Sequence, residues 1–315
     1  MASSPLTPAQ SARLTRRVTT MSVATAVVLV TIKAFVWLAS GSVALLASMA
    51  DSGLDVIASG ATFFAVRYAA APPDAEHRYG HGKAEAFASL IQAGLVFASA
   101  ALIGQEAIRD ILSPHPIEQK GWAIGVMVVS TVLTAVLIGA QTRLLKRTAS
   151  VAVSADRTHY FADLGSNLIA LAGIGAVAAF GWASLDAVAG LAVAIILLWG
   201  AVAVFRESSN QLMDHELPED ARARIAALMT EDPRISDIHQ LRTRASGPIV
   251  HIQMHADLDP QLSLIAAHQA VVAAEKRVLA AFPAADIIIH PDPRGRAEPH
   301  GGAFAEFHEG TDDSE

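Results

Sequence analysis

The chain has 315 residues, 52% of them hydrophobic and only 17% charged, with a formal net charge of −7 and no cysteine. That balance suits a membrane protein with a soluble portion and argues against nucleic acid as a partner, because phosphate binding wants a basic surface. The lack of cysteine excludes disulfides, thiolate metal sites and cysteine nucleophiles, so any metal site must use His and carboxylate.

Residues 1–12 read as a polar tail, with no short apolar core and cleavage pattern to mark a signal peptide. Six long apolar segments follow: Val18–Ala39, Val43–Tyr68, Ala84–Gly104, Trp122–Ala140, Val151–Trp182 and Leu185–Phe205. Each approaches or exceeds the ~20 residues a membrane-crossing helix needs. The fifth opens on polar residues, so its start is the least defined. Together they make an all-α six-helix transmembrane domain over 13–207. Arg13, Arg16 and Arg17 precede the first segment. Arg67, Arg78 and Lys83 flank the second-to-third loop, and Arg143, Lys146, Arg147 and Arg157 the fourth-to-fifth. The alternate loops carry only Arg109 and Lys120. The positive-inside rule then puts both termini in the cytoplasm.

After Arg206 the pattern changes. Leu217-Pro218-Glu219-Asp220 reads as a helix start, with Pro early and acids in the first turn. The runs 237-DIHQLRTRAS-246 and 249-IVHIQMHADL-258 flank Gly247-Pro248 and predict a hairpin. A helix over 261–282 and a short strand, 286-DIIIH-290, complete an α-β-β-α-β order. This predicts a compact cytoplasmic α+β domain over 208–293. The tail 294–315 is Gly-rich and acidic, a composition that favours disorder.

Carboxylates in hydrocarbon are costly, about 2.5–3.5 kcal/mol each at mid-helix on insertion scales. Yet Asp51 and Asp55 sit in segment two at i, i+4, and His159 and Asp163 repeat the spacing in segment five. Residues four apart share a helix face. At ~1.5 Å per residue the first pair lies roughly 20–25 Å, and the second roughly 12–18 Å, from the cytoplasmic helix ends, so the pairs can meet near mid-membrane. Three carboxylates and an imidazole form a four-ligand set suited to tetrahedral Zn²⁺. The histidine favours Zn²⁺, Fe²⁺ or Cd²⁺ over Mg²⁺ or Ca²⁺. A purely structural alternative has protonated acids bonding between helices; two pairs on separate spans weigh against it. Lys33 is a lone charge in segment one, expected to snorkel or to form a buried ion pair.

The loop 72-PPDAEHRYGHGKAEA-86 spaces Asp74, His77 and His81 at i, i+3, i+7, a modest metal signal beside the bland reading of solvated histidines. In the soluble domain His239, His251, His255, His268, His290 and Asp292 fall on strands and the second helix. Their convergence favours a metal site over separately satisfied side chains.

The motifs ADSGLD (50–55), DAEHRYGHGKAE (74–85), HYFAD (159–163), LRTRASGP (241–248) and IIIHPDP (287–293) resemble the cation diffusion facilitator family, and within it the bacterial zinc and ferrous-iron exporters. The resemblance spans about residues 13–293. It implies a six-span domain, a metallochaperone-like (ferredoxin-like) cytoplasmic domain, a homodimer in the inner membrane, and metal²⁺/H⁺ antiport by alternating access. Zn²⁺ is the expected cargo and regulatory ion, with Cd²⁺ or Fe²⁺ as further cargo. Carried over by position, the transport site is Asp51, Asp55, His159 and Asp163, and the loop site Asp74, His77 and His81. The cytoplasmic site draws on His239, His255, His268, His290 and Asp292. Lys83 and Asp214 match a charge pair that locks the two subunits together. Pro291, between His290 and Asp292, and His251, which is no ligand position in the pattern, depart from it. A non-transporting membrane metal sensor is the competing reading. An intramembrane aspartyl protease fits less well, since it places one acid on each of two helices.

Overall fold

The structure is a computed structural model and describes residues 8–40, 43–112, 121–148, 150–180 and 184–295. Most of the expected N-terminal tail, Lys120 and nearly all of the C-terminal tail lie outside these. The chain divides into two compact units, Met1–His215 with Ala245–Ile249, and Glu216–Arg244 with Val250–Glu315.

The first unit is built on α1 (Pro8–Ser40), α2 (Val43–Ala69), α3 (Ala84–Leu112), α4 (Gly121–Leu145), α5 (Val151–Phe180) and α6 (Ser184–Leu212). Helix α1 begins ten residues before the expected apolar start. Its first turns carry Ala, Gln, Leu and Arg, all good helix formers, and Pro8 is tolerated in a first turn, where its missing N–H is not needed. Helices α3 and α6 likewise run past their expected apolar ends. Helices α1, α3, α4 and α6 each hold a stretch apolar and long enough to cross a membrane. Helices α2 and α5, which carry the acid and histidine pairs, match them in length at 27 and 30 residues.

The packing follows membrane rules, in which small residues let helices approach. Ala93, Ala100 and Ala107 recur every seventh residue along α3 and are buried, as are Ala194 and Ala201 on α6. A Cβ at Gly165 would meet Val193 Cγ1 at 3.0 Å, and one at Gly200 would meet Thr158 Cγ2 at 3.0 Å, so these glycines set the α5–α6 approach. Phe35, Ile57, Phe64, Ile91, Ile196 and Trp199 are exposed, as side chains facing lipid should be. Hydroxyls within the helices are satisfied locally: Thr19, Ser22, Ser89 and Ser208 each donate to the carbonyl four residues back.

The second unit contains α7 (Glu219–Met229), all but the hairpin end of β1 (Ile235–Ser246) and β2 (Ile249–Leu258), α8 (Leu264–Ala281) and β3 (Ala285–Pro293), the expected α-β-β-α-β order. The sheet order is β1-β2-β3. Gly247 turns the hairpin with φ +57, a value glycine takes without steric cost. Strand β3 runs parallel to β2, pairing His251 with Asp286, His255 with His290 and Asp257 with Asp292. Pro291 is tolerated because β3 is an edge strand. One sheet face sends Ile252, Met254, Ala256 and Leu258 into a core with Ile225 and Met229 of α7 and Ala270, Ala274 and Val278 of α8. Strand alternation puts His251, His255 and Asp257 on the other face. Helix α8 starts at Ser263, whose hydroxyl caps the N–H of Ala266.

Ile252 is fully buried at the centre of that core. Ile252→Ala is expected to destabilise the cytoplasmic unit by about 2–5 kcal/mol, read as a lowered unfolding transition of that unit in calorimetry of the detergent-solubilised protein.

Candidate functional site

Helices α2 and α5 bring Asp55, His159 and Asp163 together, with a ligand atom of each within 4.8 Å of the others. His159 Nε2 lies 2.9 Å from Asp55 Oδ1 and 4.0 Å from Asp163 Oδ2. Asp55 and His159 are buried, and Asp163 is half-buried. Tetrahedral Zn²⁺ with bonds of about 2.0–2.1 Å separates its ligand atoms by about 3.4 Å, and the observed distances bracket that value. Asp51 lies one turn before Asp55 on α2; its side chain is outside the described residues. Lys33 is buried among the helices and donates to Ser52 Oγ at 2.6 Å.

A second buried acid escaped the sequence reading. Asp156, on α5 three residues before His159, accepts from Ser59 Oγ at 3.3 Å and Gln92 Nε2 at 3.1 Å on one oxygen, and from Gln141 Nε2 at 2.8 Å on the other. Gln141 Nε2 also reaches Ser22 Oγ at 3.3 Å. The fully buried Tyr160 hydroxyl donates to the Ser22 carbonyl and lies 2.9 Å from Ser59 Oγ. One carboxylate thus ties α2, α3 and α4 to α5, with α1 joined through Ser22. The signal was available: Asp156, His159, Tyr160 and Asp163 are spaced 0, 3, 4, 7, a single helix face. Glu85 and Ser150, joined by a buried hydrogen bond of 2.6 Å, were also missed.

The loop after α2 assembles the second predicted group. Asp74 Oδ1 lies 3.4 Å from His77 Nδ1, and Asp74 Oδ2 lies 3.2 Å from His81 Nε2. His81 is buried while its two partners are exposed. The backbone N–H of His77, bonded to Asp74 at 2.6 Å, holds that carboxyl below its usual range with help from the Glu76 N–H. Asp74 is therefore an anion throughout the physiological pH range. Just beyond, Lys83 Nζ pairs with Asp214 Oδ1 at 2.9 Å and donates to the Leu212 carbonyl at 3.2 Å.

On the outer sheet face Asp292 is the common partner. It lies 3.3 Å from His239 Nε2, 2.7 Å from His255 Nδ1 and 3.3 Å from His290 Nε2. His239, His255 and Asp292 meet the geometric requirement for a metal group. Asp257, which the sequence reading passed over, adds an oxygen 3.6 Å from His239 Nε2. His268 does not join this group within one chain; it is exposed on α8, whose buried residues pack on the opposite sheet face. His251 stands apart from the group as well, with Nδ1 3.2 Å from Asp286 Oδ2.

Removing the Asp156 carboxylate strands the buried Gln92 amide, at a cost of about 1–3 kcal/mol, and takes from Ser59 and Gln141 the acceptor that joins their helices. Asp156→Ala should therefore lower the thermal unfolding temperature of the membrane unit clearly, and Asp156→Asn less, as followed by thermal-shift chromatography in detergent.

Residues 19–213 match the family model for the cation efflux transmembrane domain, and residues 217–294 that for the cation efflux protein cytoplasmic domain. The chain is 43% identical over 272 residues to the cation-efflux pump FieF of Shewanella oneidensis, covering 86% of this chain and 92% of that protein. The FieF pump of Escherichia fergusonii is 38% identical over 284 residues, covering 89% and 93%. That of Salmonella arizonae is 37% identical over 281 residues, with the same coverage. Two domain matches in the expected order and near full-length relatives lead to one conclusion: the chain belongs to the cation efflux, or cation diffusion facilitator, family of metal transporters.

Proposed function

We propose that the protein exports a divalent metal ion from the cytoplasm across the inner membrane in exchange for protons, with Zn²⁺ as the best-fitting cargo and Cd²⁺ or Fe²⁺ as further cargo. The observation that carries this reading is the 2.9 Å approach of His159 to Asp55 inside the helices, with Asp163 completing a mixed nitrogen and oxygen set. Asp51 is the proposed fourth ligand. Imidazole beside carboxylates favours Zn²⁺ and its neighbours over Mg²⁺, Ca²⁺ or Mn²⁺.

The same ligands supply the coupling. Metal binds them deprotonated, so arriving protons displace it and departing protons readmit it. Metal enters from the cytoplasmic side, where both termini lie. Rocking of helices turns the site outward, protons release the ion, and the protonated site returns. The relatives are described as cation-efflux pumps, which fits the direction of transport.

The two further groups take supporting roles. Asp74, His77 and His81 form a cytoplasmic loop site. His239, His255 and Asp292, with His290 and Asp257 at their edge, offer nitrogen and oxygen donors that suit a resident Zn²⁺. That ion would cross-link β1, β2 and β3 electrostatically. We assign the protein as a homodimer in which His268, exposed and outside the group in one chain, serves the partner's cytoplasmic site. Lys83 and Asp214 hold their charge interlock at the base of the helices.

Proteoliposomes preloaded at different internal pH test the exchange. Zn²⁺ flux should rise with an opposing proton gradient and collapse when an ionophore dissipates it. Replacing His159 with Asp should lower Zn²⁺ flux several-fold relative to Mn²⁺. Zinc flux indifferent to the gradient would contradict antiport.

A further inference from the structure

A groove at the N-terminal end of α1, of ≈ 840 Å³, collects Arg13, Arg16 and Arg17 with Arg147 from the turn after α4. Among the described residues no acidic side chain lines it. All four arginines are exposed, and among the described residues none forms an ion pair. Several cations elsewhere in the chain are matched, Lys83 by Asp214, Arg109 by Glu106, Arg234 by Asp232, Arg277 by Glu231, and Arg67 by the face of Phe63 at 4.0 Å, but among the described residues none of them shares a groove with three others. Four guanidinium groups around one groove repel one another unless an anion sits among them.

We propose that this groove binds the headgroup of an anionic phospholipid, in the cytoplasmic leaflet on the orientation proposed above. Guanidinium pairs phosphate oxygens bidentately, and an anionic headgroup, unlike a zwitterionic one, brings no ammonium to repel the arginines. The depth fits: the arginine-bearing turns directly precede the apolar run Val18–Ala39 of α1, which places them at the level of lipid phosphates, where basic pockets take such headgroups. An acyl chain also has a track. Leu14 and Met21 line the groove, and Val28 and Phe35 continue the same face at seven-residue intervals. Met21, Val28 and Phe35 are exposed. A soluble anion would gain nothing from that apolar path. Four guanidiniums also favour a two-phosphate headgroup over a single phosphate.

The full-length protein is reconstituted in nanodiscs of phosphatidylcholine with a minor fraction of phosphatidylglycerol or cardiolipin, and retained lipid is counted by native mass spectrometry. Wild type should hold anionic lipid, cardiolipin more tightly than phosphatidylglycerol. The variant Arg13→Gln, Arg16→Gln, Arg17→Gln, Arg147→Gln should lose most of it. A control variant, Arg143→Gln, Lys146→Gln, Arg206→Gln, should keep it. Should the fourfold variant not fold, Arg17→Gln with Arg147→Gln must still lower retention several-fold. Equal retention in wild type and groove variants would overturn the proposal, and so would equal loss in the control, which marks diffuse charge attraction. Displacement of the lipid by inorganic phosphate would assign the groove to soluble anions and also overturn it. Lipid is counted without metal and in discs symmetric across the bilayer, so failure here is distinct from failure of the transport or orientation reading.

Discussion

A carboxylate held among membrane helices must find a counter-charge or a full set of donors, and this constraint organises the first unit. The protein meets it in two ways within one helix face. Asp156 is closed: three side-chain donors from three neighbouring helices saturate its oxygens. Asp55 is open: among the described residues its one side-chain hydrogen-bond partner is His159. That leaves Asp55 with oxygen lone pairs beyond this one bond, close to Asp163 on the facing helix. The closed acid fastens helices, and in the proposed function the open one receives the cargo. Burial alone does not separate these roles, since both acids are buried; the donor count does.

The surrounding structure serves that division. Alanine repeats on α3 and α6 and the bare Cα atoms of Gly165 and Gly200 let helices approach without large side chains. The Asp156 cluster sits one turn along α5 from His159 and sets which way the helix presents it. In the cytoplasmic unit the sheet separates two chemistries. One face is apolar and covered by α7 and α8, and the other gathers histidines around Asp292. Covering one face of a three-stranded sheet stabilises the unit, while the other stays available for ligands.

Much of this was legible in sequence, for physical reasons. Spans were visible because lipid demands long apolar runs, and only their polar extensions, such as Pro8 to Arg17 on α1, were missed. The i, i+4 pairs were legible because helical periodicity fixes which residues share a face; that Asp55 and His159 meet follows from their similar depth. The α-β-β-α-β order came from capping and turn residues such as Pro218, Ser263 and Gly247. Cross-helix partnership was not legible. Gln92 and Gln141 look like ordinary polar residues in apolar runs until Asp156 faces them. His268 shows the converse limit. Sequence placed it with the cytoplasmic ligands through family resemblance, whereas within one chain helix α8 turns its buried residues to the opposite sheet face. Asp257 was overlooked because its register opposite Asp292 exists only once β2 and β3 pair.

The central claim is that Asp55, with His159 and Asp163, holds the cargo. Zn²⁺ uptake into proteoliposomes under a fixed proton gradient, compared for wild type and Asp55→Ala with the loop and cytoplasmic groups intact, tests it most directly. The account predicts gradient-driven flux in wild type and its loss in Asp55→Ala, with zinc still bound at the remaining groups. Undiminished flux in Asp55→Ala would contradict it, and binding without flux in wild type would make the protein a metal sensor.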